Sequence, residues 1–180
     1  MSELRTNRII PRDGLPSGAS GGGIVQTVQS VVTSSSTGTG ATLVSVMTCS
    51  ITPTRNDSKV LILVDTNVGS SNTYGTLAYL YRGTGGSGTK LYFGDADGNR
   101  PRVTKAVTTY DGTNTGAFQQ VPLQIHYLDS PATTSEVTYD LRLASYSTNS
   151  WSFNRSHVNQ NTSEYDGKPA SSMILMEISG

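Results

Sequence analysis

The chain has 180 residues, 34% of them hydrophobic and only 14% charged, and its 13 basic and 13 acidic side chains cancel. A zero net charge and a pI near 6.7 exclude the basic footprint that general nucleic-acid or anionic-membrane binding needs. Disordered chains of low hydrophobicity carry high net charge, so a polar but neutral chain with 19 glycines reads as folded β-structure, one domain plus a tail.

The tail comes first. Met1 to Arg12 is polar, carries three arginines and lacks the apolar stretch of about 7 to 15 residues that a signal peptide requires. The chain is therefore expected to be soluble and not exported by the usual route. Next come Arg8-Ile9-Ile10-Pro11-Arg12-Asp13-Gly14-Leu15-Pro16 and the glycines Gly18, Gly21, Gly22 and Gly23. Pro11 and Pro16 hold their preceding residues extended, and the glycines leave the link free to bend. Residues 1–23 thus read as a docking arm. Leu4, Ile9, Ile10, Pro11 and Leu15 are its anchoring candidates, since burial of an apolar side chain is worth on the order of 1.5 to 3 kcal/mol.

From Ile24 onward apolar residues recur at period two or in short continuous runs, with no helix-length window. The pattern predicts strands at Ile24 to Val32, Ala41 to Ile51, Lys59 to Val68, Thr76 to Arg82, Lys90 to Phe93, Val103 to Thr108, Phe118 to Leu128, Glu136 to Tyr146 and Ser172 to Ile178. Turn residues separate them, among them Asn56-Asp57-Ser58, Gly69-Ser70-Ser71-Asn72, Gly83-Thr84-Gly85-Gly86, Asp95 to Pro101, Asp111-Gly112 and Asp129-Ser130-Pro131. Eight or nine such strands over residues 24–180 predict an all-β domain, an antiparallel two-sheet sandwich of jelly-roll type.

Faces follow from alternation. Val137, Tyr139, Leu141 and Leu143 form a core face, and Thr138, Asp140, Arg142 and Ala144 a mostly wet one. In Val60-Leu61-Ile62-Leu63-Val64 both faces are apolar, so the outer one needs a cover. A neighbouring subunit or a loop of the same chain supplies it. The run is far too short to span a bilayer. Leu77-Ala78-Tyr79-Leu80-Tyr81-Arg82, with Tyr92 and Phe93, gathers aromatics that suit a subunit interface or packing at the sandwich rim. Leu61, Leu63, Tyr79 and Tyr81 are the interface candidates.

Chemistry finds little support. Cys49, flanked by Val46, Met47 and Ile51, reads as a small buried thiol. A nucleophilic site would need His126, placed mid-strand, or His157, in a polar loop, and neither adjoins a nucleophile elbow. Asp95, Asp97, Asp111 and Asp129 all neighbour turn formers and read as turn residues, not as the carboxylate pair of a glycosidase. Asp95-Ala96-Asp97-Gly98-Asn99 opens like a calcium loop, but Arg100 and Ala106 stand where an EF-hand needs Gly and Glu. Gly83 to Lys90 lacks phosphate-loop spacing. No catalysis, cofactor or metal is expected.

Several segments, taken together, resemble one family. Ser2-Glu3-Leu4-Arg5-Thr6-Asn7-Arg8-Ile9-Ile10-Pro11-Arg12-Asp13-Gly14, then Gly23-Ile24-Val25-Gln26-Thr27-Val28-Gln29, is similar to the start of small tail-fibre or structural proteins of tailed phages, of cyanophage or marine-phage type. The resemblance continues through Ile51-Thr52-Pro53-Thr54 with Ser58 to Val64, through Leu128-Asp129-Ser130-Pro131, and to the ending Ser171 to Ile178. It implies a homotrimeric β-sandwich on a virion assembled in the host cytoplasm, its arm docked to another tail or capsid protein and its distal loops facing the host. No long shaft is present, which leaves a short fibre or adhesin, with a capsid cement or head-decoration trimer as the alternative. In the first case Tyr74, Trp151 and Phe153 would touch a host glycan or protein, because aromatics beside Asn and Ser suit a sugar face. Packing at the sandwich end is the competing role. A host-type lectin or a depolymerase is the remaining reading. Neither nucleic acid nor membrane insertion is expected.

Overall fold

The computed structural model describes residues 23–71, 75–108, 118–160 and 166–180. Among them lie eleven strands: β1 (Ile24–Val32), β2 (Ser36–Thr39), β3 (Val44–Ile51), β4 (Lys59–Ser70), β5 (Thr76–Arg82), β6 (Thr89–Leu91), β7 (Lys105–Val107), β8 (Val121–Asp129), β9 (Val137–Ser145), β10 (Ser150–Phe153) and β11 (Ser171–Ile178). All pairings are antiparallel, and they form two sheets.

Three pairs of strands are single strands with an interruption. β4 pairs along one edge with β8, and along the other with β11 over Lys59–Asp65 and then with β10 over Val68–Ser70. β10 and β11 therefore lie in one line, which the chain leaves after Phe153 and rejoins at Ser171. β1 against β11 continues as β2 against β10. In the other sheet β6 and β7 share one edge of β5, with residues 92–104 as the excursion. Counted this way, one sheet runs β1/β2, β10/β11, β4, β8 and the other β3, β9, β5, β6/β7. Every connection except β5 to β6 crosses from one sheet to the other, which is the jelly-roll arrangement.

Polar side chains close the interruptions, because buried backbone groups there would otherwise go unpaired. The Asn154 side-chain amide donates to Val32 O (2.9 Å) and Ser34 O (3.1 Å), bridging the break between β1 and β2, and Ser171 Oγ donates to Asn154 Oδ1. Asn154 has φ +55, a left-handed turn that Asn tolerates, and there the chain leaves β10. In the second sheet Thr104 N donates to Ala78 O (3.0 Å) while Thr104 Oγ1 accepts from Leu80 N (2.9 Å) and donates to Leu91 O (3.2 Å).

The core fills the space between the sheets with the alternate residues of each strand, including Met47, Ile51, Val60, Ile62, Val64, Leu80, Leu123, Ile125, Tyr139, Leu141, Leu143, Met173 and Leu175. Cys49 lies among them, and burial pushes its thiol pKa up. All nine predicted segments contain strand, and β1 and β5 have the predicted limits. Gly69 and Ser70, predicted as turn, extend β4 because β10 pairs with them. β2 and β10 were missed for different reasons: STGT carries no apolar signal and forms only against β10, whereas Trp151 and Phe153 do alternate with serines, but in a run of only four residues that pairs with β4 and β2.

Two substitutions test the joints. Asn154→Ala should lower stability by about 2 to 4 kcal/mol in urea denaturation, since buried carbonyls lose donors and Ala resists the positive φ; Asn154→Gly should fall between it and the wild type. A Cβ on Gly38 would sit 2.4 Å from Trp151 Cζ2, so Gly38→Ala should cost about 1 to 3 kcal/mol. Unchanged urea midpoints would contradict these roles.

Candidate docking and display surfaces

The register sorts the sandwich into two ends. At one, Ser179 N donates to Gly23 O (3.0 Å), Ile24 pairs with Ile178, and Gly180 packs against Asp57 of the turn between β3 and β4. Gly23, the first described residue, thus lies beside the last residues of β11. At the other end β4 and β9 run out into turns that bond to each other: Gly40 N donates to Asn149 O, Ser145 N to Gly40 O and Ser71 N to Ser150 O. Ser145 Oγ donates to Gly75 O (2.8 Å) in the same cluster. The docking candidates Leu4, Ile9, Ile10, Pro11 and Leu15, and the receptor candidate Tyr74, lie outside the described residues.

The end of the sandwich at Gly23 is clamped by a buried carboxylate. Glu177 faces inward on β11 with no exposed surface. Its Oε2 accepts from Gln26 Nε2 (2.7 Å), and its Oε1 from Thr54 N (2.8 Å) and Thr54 Oγ1 (2.7 Å). Gln26 Nε2 also donates to Thr52 O (2.7 Å). Burial alone would raise the pKa, but these hydrogen bonds outweigh it and hold the carboxyl down at about 2. β1 is thereby tied to β11 and to the turn beyond β3.

The two outer faces differ. Leu61 and Leu63 point out of the first sheet, half-buried, and their cross-strand partners are Leu128 and Met176, and His126 and Ile174. Leu128 is 46% exposed, and Val25 and Val31 on the same sheet also stand in solvent. Tyr79 and Tyr81 lie on the opposite face of the sandwich. Tyr79 is buried against Leu77 and Ala144, with Lys90 Nζ 4.7 Å from its ring, and Tyr81 carries the Arg142 guanidinium at 4.0 Å. The interface expectation is therefore corrected for Tyr79, whose cover comes from its own chain. Trp151 and Phe153, expected as receptor contacts, are 0% and 1% exposed core residues. β10 places both side chains between the sheets, with the indole against Gly38.

Other polar residues also depart from expectation. Asp129 ends β8 and is buried, salt-bridged to Arg82 Nη1 (3.0 Å) and accepting from Tyr139 O–H (2.8 Å), so it is a core node and not a turn acid. Burial first, and then Asp129, raise the Tyr139 pKa. Asp140 and Arg142, read as a wet face, form a buried ion pair with Nε to Oδ2 at 2.7 Å. Opposite charges two apart on a strand, near a glycine-rich hairpin, were the available signal. His126 is exposed on β8, whereas burial and then Arg155 lower the His157 pKa. Asp97 pairs with Arg100 on the surface, and Asp111 lies outside the described residues. Among the described residues no group of three or more His, Cys, Asp or Glu is placed to hold a metal, and no helix is long and apolar enough to cross a membrane.

No protein-family model matches the chain, and no curated protein matches it. Among solved structures it is similar to the infectious bursal disease virus VP2 subviral particle, with a TM-score of 0.40 and 10% identity over 87% of this chain and 39% of that one. Structures of the Gx and Gt strains of the same virus give TM-scores of 0.39 and 0.40 at 10% identity, over 86% and 87% of this chain. The chain spans about two fifths of the length of each of these proteins. Function at this distance is left to the chain's own residues.

The clamp predicts a pH signature. The folded pKa of Glu177 lies below its usual 4.5, so its stabilisation is complete above about pH 4.5 and is lost as pH falls toward 2. Glu177→Gln should cost about 1 to 3 kcal/mol at neutral pH and flatten that acid limb. Equal wild-type and mutant denaturation midpoints at pH 7 would rule the clamp out.

Proposed function

We propose that the chain is a virion structural protein, a short trimeric tail fibre or adhesin of a tailed phage that docks through residues 1–23 and displays its sandwich for host attachment. The observation that carries this reading is polarity. Gly23, which follows the proposed arm, lies at the clamped end beside Ser179, and the turns around Gly40, Ser71, Gly75 and Asn149 gather at the opposite end. A protein held at one end leaves the other free to meet a host. The jelly roll, which also serves viral capsid and lectin domains, is compatible with such a role without specifying it. For the trimer, the support is the outward face around Leu61, Leu63, Leu128, Ile174 and Met176. A three-fold ring joins two different surfaces of each chain, so this face would meet a second surface of its neighbour.

The mass of the full chain in light scattering should be about 57 kDa, three times 19.1 kDa. The double substitution Leu61→Lys, Leu63→Lys should shift it to a single copy with the fold retained. A wild-type mass of one copy would remove the trimer. For the role itself, phage lacking the gene should yield particles with intact heads that fail to adsorb. Fragile heads with normal adsorption would instead make the protein a capsid cement.

A further inference from the structure

We propose that the outer face of the second sheet carries a binding pocket for a neutral carbohydrate, built on Asp140 and Arg142. A cavity of about 310 Å³ lies over β9, lined by Leu43, Ser45, Gly85, Gly86, Asp140 and Arg142. That volume is at the small end of ligand pockets and suits one or two sugar rings. Its polar groups are fixed before any ligand arrives. Ser45 Oγ donates to Asp140 Oδ1 (2.6 Å), Arg142 Nε donates to Asp140 Oδ2 (2.7 Å), and Arg142 Nη2 donates to Gly83 O (3.0 Å). The remaining guanidinium nitrogen, Nη1, has no protein partner among the described residues. Tyr81 lies against the guanidinium plane and restricts its rotation.

A buried ion pair is a poor source of stability, because apolar side chains of similar size often do as well or better. Leu77, Tyr79 and Ala144 show that this same face accepts an apolar cluster. What the pair supplies instead is a fixed donor and a fixed acceptor whose charges cancel. An anion would be opposed by Asp140 and a cation by Arg142. A hydroxyl both donates and accepts, so neighbouring hydroxyls of a sugar match the two together. Gly85 and Gly86 leave space, as a Cβ on either would meet nothing within 4 Å, and Leu43 offers an apolar wall to the C–H face of a ring. The pocket deepens the attachment reading and rests on it for its biological sense.

The test is an NMR titration of the full chain with the methyl glycosides of glucose, galactose, mannose and N-acetylglucosamine at millimolar concentration. At least one should shift the amides of Ser45, Gly85 and Gly86 saturably. Gly86→Phe, which fills the mouth without positive-φ strain, and Arg142→Lys should each weaken that binding about tenfold or more. Melting temperature and the amide spectrum of the remaining strands check that both variants fold. The pocket is overturned if none of the four sugars moves these amides, or if both folded variants bind as tightly as the wild type. Binding by the chain together with normal adsorption of virions carrying Gly86→Phe would uphold the pocket and count against the attachment reading alone.

Discussion

The length of β4 constrains the rest of the structure. Its twelve residues run through the middle of a sheet, so both edges need hydrogen-bond partners along their whole length. β8 provides one edge in a single piece. The other is assembled from β11 and β10, which requires the chain to leave the line after Phe153 and return to it at Ser171. Asn154 makes that departure possible: it adopts the left-handed turn, accepts from Ser171 and pairs the carbonyls of Val32 and Ser34. The same constraint recurs at β5, where Thr104 joins β6 to β7. Both excursions thus emerge from the sides of the sandwich, not from its ends.

This arrangement ties the two ends of the sandwich in different ways. Between Ile24 and Val32 the first strand pairs with β11, and Glu177 ties both to Thr54 at the end where Gly23 lies. A pull at Gly23 would therefore be spread over a ladder and a buried carboxylate before it reached the core. The far end is held by turn-to-turn bonds and by Ser145. The outer face formed by β3, β9 and β5 packs Leu77, Tyr79 and Ala144 within the chain, whereas the face of β4, β8 and β11 is left apolar toward solvent. Exposed apolar side chains lying side by side on one sheet are the kind of surface that a second protein surface covers.

Much of the fold was legible because the strands bury one face. Val137, Tyr139, Leu141 and Leu143 announce both a strand and its core side, and structure and pattern agree there. The apolar alternates Leu61 and Leu63 pointed to an outer face needing cover, and they do lie outward. Legibility failed where pairing, not pattern, decides. Nothing in STGT signals a strand, since β2 forms only against β10. The aromatic side chains Trp151 and Phe153 looked available beside Asn and Ser, but the unseen strand turns them inward. Asp129, Asp140 and Arg142 looked solvated because charge is usually wet, but Asp129 is buried with Arg82, and Asp140 with its near neighbour Arg142 and the distant Ser45.

The proposed display of the end opposite Gly23 is tested most directly by electron microscopy of virions labelled with one antibody against the Gly40 and Asn149 turns and another against residues 1–23. Gold from the first antibody on the particle, with residues 1–23 hidden until the virion is disrupted, is the predicted result. Particles that bind neither antibody before or after disruption, from cells that make the protein, would contradict a place on the virion.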